Sequence, residues 1–266
     1  MRPGLTDAAR RDWLRLARTE SVGPVTFDEL IRRFGEPSLA LAALPDLARR
    51  GGRAQAPRIP TEREAEAELA AGAALGARLI CACESDFPQA LAALDPPPPL
   101  MWVRGRAELL DRPAVALVGA RVASAAGQRF ARGLAAELGA SGLVVVSGMA
   151  RGIDGAAHLG ALPTGTIAVL GGGIDDVYPP EHRDLYDQIA ESGCVVADHP
   201  PGRQAQARDF PRRIWIVDNS GSMMTTDFAR LEEQTTVADA LSALATQAAN
   251  LETIYYMYVV DKQDHL

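Results

Sequence analysis

The sequence predicts an α/β fold, a mostly parallel β-sheet preceded by a small helical module. Three observations predict it. Residues 7–52 place apolar side chains at helical spacing. Residues 114–197 alternate short apolar runs with longer amphipathic stretches, the pattern of βαβ units. Glycine, arginine and acidic residues cluster just after those apolar runs, where open parallel sheets bind ligands.

The helical module comes first. Trp13, Leu14 and Leu16, then Phe27, Leu30, Ile31 and Phe34, recur at helical spacing. Val22-Gly23-Pro24 and Gly35-Glu36-Pro37 make turns, and an Ala-rich helix spans 38–50. Helix, turn, helix resembles a helix-hairpin-helix or SAM-like module. Such a module serves packing and oligomerisation as readily as DNA contact. A Gly/Pro-bearing linker runs from Gly51 to Pro60, a helix covers 61–76, and a strand covers 78–83. Asp95 and the prolines 96–99 form a stiff spacer before the strand Leu100–Val103. The division is 1–58 helical module, 59–110 linker and leading strands, 111–213 sheet domain and 214–266 divergent tail.

In the sheet domain, strands are expected at 114–118, 143–146, 166–170 and 194–197. Helices are expected at 124–140, 154–162 and 181–192. The strand runs are short and continuously apolar, as in a parallel sheet covered on both faces. Right-handed crossovers then bring the carboxyl ends of all four strands to one rim.

Composition narrows the function. The chain of 266 residues is 47% hydrophobic and 23% charged, which suits a globular protein. No apolar run approaches the ~20 residues of a membrane span. The N-terminus shows no signal-peptide core, so the expectation is a cytoplasmic protein with no membrane partner. Cys81, Cys83 and Cys194 cannot form a disulfide framework and read as core, the first two sharing a strand face. Residues 1–213 hold 25 arginines against 26 acids, a balance of −1, whereas 214–266 hold Arg230, Lys262 and 8 acids, a balance of −6. The acidity therefore sits in the tail, and the body is free to carry a basic pocket. Lysine is absent before position 262, which excludes a P-loop and a lysine Schiff base in the body. Any phosphate must be held by arginines and backbone amides.

The strand-end residues suit that task. Gly119-Ala120-Arg121 follows the first strand, and Ser147-Gly148-Met149-Ala150-Arg151-Gly152-Ile153-Asp154 the second. Gly171-Gly172-Gly173-Ile174-Asp175 follows the third, with Tyr178-Pro179 beyond, and Asp198-His199-Pro200-Pro201-Gly202 the fourth. Glycines let amides approach a phosphate, and a helix N-terminus adds partial positive charge. Arg121, Arg151, Arg212 and Arg213 suit phosphate contacts; Ser147 and the Gly148 and Gly172 amides suit direct hydrogen bonds; Phe210 suits base stacking. Each has a plainer reading. Arg121 also suits a structural ion pair with Asp154 or Asp175, and Phe210 fits a core. Asp154 reads as a helix N-cap and His158 as a satisfied structural histidine. Asp154, His158, Asp175 and His199 would serve an enzyme as acid–base groups, the rival being a nucleotide or nucleoside-phosphate hydrolase. No GxSxG or HExxH motif accompanies them.

The runs VALVGAR, VVVSGMARGIDGAAH, TIAVLGGGIDDVYPPEH and DFPRR, in this order, resemble the DNA-processing protein A (DprA, or Smf) family over about residues 8–213. The resemblance implies a Rossmann-like domain that binds single-stranded DNA without catalysis or cofactor. It implies a homodimer that protects incoming DNA and loads the RecA recombinase in natural transformation. It places Arg121, Ser147, Gly148, Arg151, Phe210 and Arg212 in the single-strand pocket, and Gly119, Gly152, Gly172 and Arg213 of the same segments complete the expected DNA-binding set.

After Arg213 the sequence departs from the family pattern. Asp218-Asn219-Ser220-Gly221-Ser222 is a D-x-S-x-S run that resembles the metal-ion-dependent adhesion site of von Willebrand factor A domains. There Asp218, Ser220 and Ser222 would ligate a divalent cation, with a helix at 229–250 and a strand at 254–260 following. The remaining ligands come from later loops of such domains, so no complete metal site is expected. A fusion, frameshift or truncation near Arg213 is the third reading, and it removes the sheet extension.

Overall fold

The computed structural model describes residues 4–52, 55–206, 209, 228–232, 242 and 256–260. They form two compact units. One holds the chain up to Phe87 together with Ala92–Trp102, the other Pro88–Leu91 together with the chain from Val103 onward.

The first unit contains α1 (Asp7–Ala17), α2 (Pro24–Phe34), α3 (Pro37–Arg50), α4 (Glu62–Ala74), β1 (Ala77–Cys81) and the first half of β2 (Leu100–Gly105). Local chemistry sets the helix starts. The Thr6 hydroxyl accepts from the Ala9 amide, proline opens α2 and α3, and Thr61 with Glu64 closes a capping box on α4. Trp13 is the anchor. Its ring lies 4.9 Å from that of Phe27, and its indole N–H donates to the Pro99 carbonyl at 2.7 Å. Cys81 is buried, and burial pushes its thiol well above the usual range. Cys83 lies beyond the end of β1, in a turn and half-buried, so the two cysteines do not share a strand face.

The second unit contains the rest of β2, α5 (Gln89–Ala92, its last residue in the first unit), a 3-10 turn at Ala107–Asp111, β3 (Ala114–Gly119), α6 (Ala125–Ala140), β4 (Val144–Ser147), α7 (Ile153–Ala161) and β5 (Thr166–Val169). A second 3-10 turn, Pro180–His182, leads into α8 (Arg183–Ser192), followed by β6 (Cys194–Ala197). Further on come β7 (Phe228–Glu232) and β8 (Tyr256–Val260). Six parallel strands run β6-β5-β4-β3-β8-β7. The Ser124 hydroxyl caps α6 by accepting from the Gly127 amide at 3.0 Å. Leu134 and Leu138 of α6 and Ile153 and Ala157 of α7 pack on Val115, Leu117 and Val145 of the sheet. Glycine allows the two helices to meet closely, since a Cβ on Gly160 would lie 2.1 Å from the Arg132 carbonyl oxygen.

The tail does more than the sequence suggests. β8 pairs in parallel with β3, and β7 with β8, so the chain beyond Arg213 extends the sheet. The strand expected at 254–260 is β8. The helix expected at 229–250 is contradicted at its start, where residues 228–232 form β7. A strand edge beside β3 offers unpaired N–H and C=O groups, and pairing them outweighs helix propensity. Asp218, Ser220 and Ser222 lie outside the described residues.

Candidate nucleic-acid interface

The carboxyl ends of β3 to β6 form the candidate site, and the structure divides them into two halves. In the first, the β3 and β4 loops lock together. Gly152 adopts φ +76°, and a Cβ there would lie 2.2 Å from the Ala120 carbonyl oxygen. The Ile153 amide donates to that same oxygen at 3.2 Å. Gly152, with no side-chain cap, therefore starts α7, and Asp154 sits inside the first turn instead of capping it. The buried Asp154 carboxylate reaches back to accept from the Ala150 amide at 3.2 Å, which stiffens the loop that presents Arg151.

Ser147 and Gly148 are buried beneath this loop, and Gly119 is half-buried beside them. The Ser147 hydroxyl donates to the Leu117 carbonyl at 2.7 Å, tying β4 to β3. Its proton is thus committed to holding the rim in shape. Arg121 and Val122 are exposed at the tip of the β3 loop, Val122 to 97%. Arg151 is exposed too. Its guanidinium pairs with Glu181 and lies 5.9 Å from the ring centre of Tyr178, itself 55% exposed. The hydrogen bond with Glu181 raises the Arg151 pKa and lowers that of Glu181. His182 closes this half: with a carbonyl as partner, its Nδ1 donates to Met149 O at 3.0 Å.

The second half is filled by its own chain. Gly172 is buried, and a Cβ on it would meet an Asp176 carboxylate oxygen at 2.1 Å and the Arg203 carbonyl oxygen at 2.7 Å. The Gly173 amide donates to Arg203 O at 2.7 Å. The Asp175 carboxylate accepts from the Gly202 amide and that of Asp176 from the Ala205 amide, each at 2.7 Å. Arg203 forks onto Asp209 at 2.9 and 3.0 Å, and His199 lies 3.4 Å from the same carboxylate. Two carboxylates here occupy the kind of position that a bound anion would take. The structure therefore groups Arg121, Arg151 and Gly152 with Tyr178, and sets Gly172 apart. Phe210, Arg212 and Arg213 lie outside the described residues.

His158 is wholly buried under the first half. The Thr166 hydroxyl gives its one proton to Val145 O at 2.6 Å, so His158 Nδ1 must donate to Thr166 Oγ1 at 2.9 Å. Burial lowers its pKa to about 3, so the ring is neutral. It sits as a structural histidine, without the solvent contact that a general base needs. Sequence reasoning put Tyr178 at the third strand end without a role, and gave Glu181 and His182 no place on the rim. Its one available signal was an aromatic–proline pair after a glycine-rich strand end.

The fold and this rim define a class: a parallel α/β domain whose strand-end loops present arginine and an exposed aromatic. Comparison with known proteins then specifies it. Residues 78–243 match the model of DNA recombination-mediator protein A, and residues 7–71 that of the DprA-like N-terminal HHH domain. The chain belongs to the DNA recombination-mediator protein A family. The family match runs past Arg213 into the stretch that the sequence sets apart. Protein Smf of Synechocystis is 37% identical over 140 residues, covering 50% of this chain and 35% of that protein. DNA processing protein DprA of Streptococcus pneumoniae is 39% identical over 137 residues, covering 49% of this chain and 47% of its own length. The alignments thus span between a third and a half of these relatives. The X-ray structure of the S. pneumoniae protein superposes with a TM-score of 0.65 at 20% identity, over 98% of this chain and 97% of that one, and shares its fold. DNA processing protein A of Helicobacter pylori, solved for its single-stranded DNA binding mode, gives a TM-score of 0.52 at 25% identity, over 69% of this chain and 80% of that one.

Proposed function

We propose that this chain binds single-stranded DNA and acts as a recombination mediator. The observation that carries the reading is the open half of the rim, where Arg121 and Arg151 stand exposed with Tyr178 beside Arg151. Arginine attracts phosphate and Tyr178 offers a stacking face to a base. The pair recognises backbone and base without reading sequence. The relatives' names support the same reading, as does the H. pylori protein's single-stranded DNA binding.

The finer expectations follow the family. The chain would act in the cytoplasm as a homodimer, protect incoming DNA and load RecA. Among the described residues, no helix is long and apolar enough to cross a membrane. A DNA phosphate reaching Arg151 would displace Glu181, so binding exchanges an internal ion pair for an external one. No catalytic step is needed.

The test is a salt series of anisotropy measurements with oligonucleotides of a few tens of bases, matched duplex and a mononucleotide. The expected result is tight, salt-sensitive binding of the single strand, weaker duplex binding and no turnover of the mononucleotide. Equal affinity for mononucleotide and strand, or measurable hydrolysis, would favour the hydrolase reading instead.

A further inference from the structure

Beside the open half, α6 and α7 leave a groove of about 390 Å³ whose lining includes Gln128, Arg129, Arg132, Gly155, Leu159 and His182. Gly152 also lines it, so the groove begins where the Arg151 loop ends. Among the described residues, no carboxylate lines it. Asp154, the acid of the first turn of α7, is buried and turned toward the Ala150 amide. Glu137, the acid of α6, stands more than a turn beyond Arg132.

Its arginines depart from the habit of this unit. Arg106 pairs with Glu108, Arg112 donates to a carbonyl, Arg151 pairs with Glu181 and Arg203 pairs with Asp209. Arg129 and Arg132 are exposed, and neither makes an ion pair or hydrogen bond among the described residues. Two adjacent uncompensated cations on one helix face repel each other, a modest cost that an anion would remove. Their i, i+3 spacing sets them ~5–6 Å apart at Cβ, within reach of successive phosphates of an extended strand.

The groove is also rigidly built. A Cβ on Gly155 would lie 2.8 Å from His182 Cε1, so glycine is what lets the imidazole lie across α7. The Nδ1–Met149 hydrogen bond orients that ring and leaves Nε2 on the side of Gly155. Leu159, 40% exposed, adds an apolar surface suited to a sugar or base face.

We propose that the α6/α7 groove is a second phosphate-binding stretch, which takes the backbone of the single strand as it leaves the Arg121–Arg151 rim. The proposal rests on the single-stranded DNA reading and extends it by a defined path. It makes binding depend on length. A strand long enough to occupy both places gains the groove contacts, and a very short one does not.

The experiment compares the wild-type chain, the double variant Arg129→Gln/Arg132→Gln and Arg151→Ala. Each is titrated with labelled oligothymidylates of about 6 and about 30 nucleotides at several salt concentrations, a range bracketing typical site sizes. Both groove positions are on the surface, and thermal melting checks that the variants are folded. The double variant should lose affinity severalfold for the long strand, with a log–log salt slope flatter by about 1.4, two contacts at ~0.7 each. Its affinity for the short strand should stay near wild type, whereas Arg151→Ala should weaken both. Wild-type behaviour of the double variant on the long strand overturns the groove and leaves the rim standing. An equal loss on both lengths also overturns it, because the groove would then belong to the primary site. A wild-type chain that binds neither strand removes the function reading and the groove together.

Discussion

The two halves of the strand-end rim have the same ingredients and opposite states. Both follow parallel strands, and both combine glycine, arginine and aspartate. In the β3/β4 half, Asp154 turns inward to a loop amide, and arginines are left at the surface. In the β5/β6 half, Asp175 and Asp176 turn onto the 202–205 segment and fill the space with protein. A glycine-rich loop is therefore no guide to ligand binding by itself. What matters is whether a neighbouring segment of the chain is already fastened over the glycines, as residues 202–205 are by Asp175 and Asp176.

The comparison can be broken most severely at Gly152. A side chain there must adopt φ +76° against the Ala120 carbonyl. Backbone strain alone costs about 1–3 kcal/mol, before the clash is counted. Gly152→Ala should lower the melting temperature by several degrees and abolish single-stranded DNA binding. A variant with normal melting and affinity would show that the locked β3/β4 loops are not needed.

Acid probes the base of the open half. His158 ordinarily titrates near 6.5, but folded it stays neutral down to about 3. The unfolded chain therefore binds a proton between those values that the folded chain refuses. Stability from this group is complete above pH 6.5 and falls as pH drops toward 3, at about 1.4 kcal/mol per unit. His158→Gln should flatten the acid limb of a denaturation series by that slope, and an unchanged limb would contradict a buried neutral ring.

Two smaller effects sharpen the contrast. Asp176→Ala removes the acceptor of the Ala205 amide and should cost ~1–2 kcal/mol of stability while leaving DNA affinity intact. Glu181→Gln removes the charge that competes for Arg151 and should raise affinity a few-fold, most visibly at low salt. An affinity lowered by Glu181→Gln would mean that the carboxylate positions Arg151 for DNA.

Much of the fold was legible from residue order. The four central strands and three helices of the sheet domain lie within a few residues of their expected places, because apolar runs and caps are local signals. Pairing across the sheet is not local. Nothing in residues 256–260 announces that they lie beside β3, or in 228–232 that they pair with β8, so the tail read as an appendage when it supplies two strands. The candidate site was half legible. Arg121 and Arg151 follow from composition and position, since a body without lysine leaves phosphate to arginine. Exposure is a property of packing, which is why Tyr178 was named at its strand end without a role and Gly172, under residues 203–205, looked equivalent to Gly148. Ser147 shows the same limit: its type suits a phosphate, yet its hydroxyl holds Leu117.

The most direct test of the division is the salt dependence of single-stranded DNA binding for Arg151→Ala and Asp176→Ala, measured side by side with the wild-type chain. The open half predicts that Arg151→Ala lowers affinity about tenfold and flattens the log–log slope by ~0.7, while Asp176→Ala matches wild type in both. A wild-type slope for Arg151→Ala, with affinity lost in Asp176→Ala, would place the DNA on the other half of the rim.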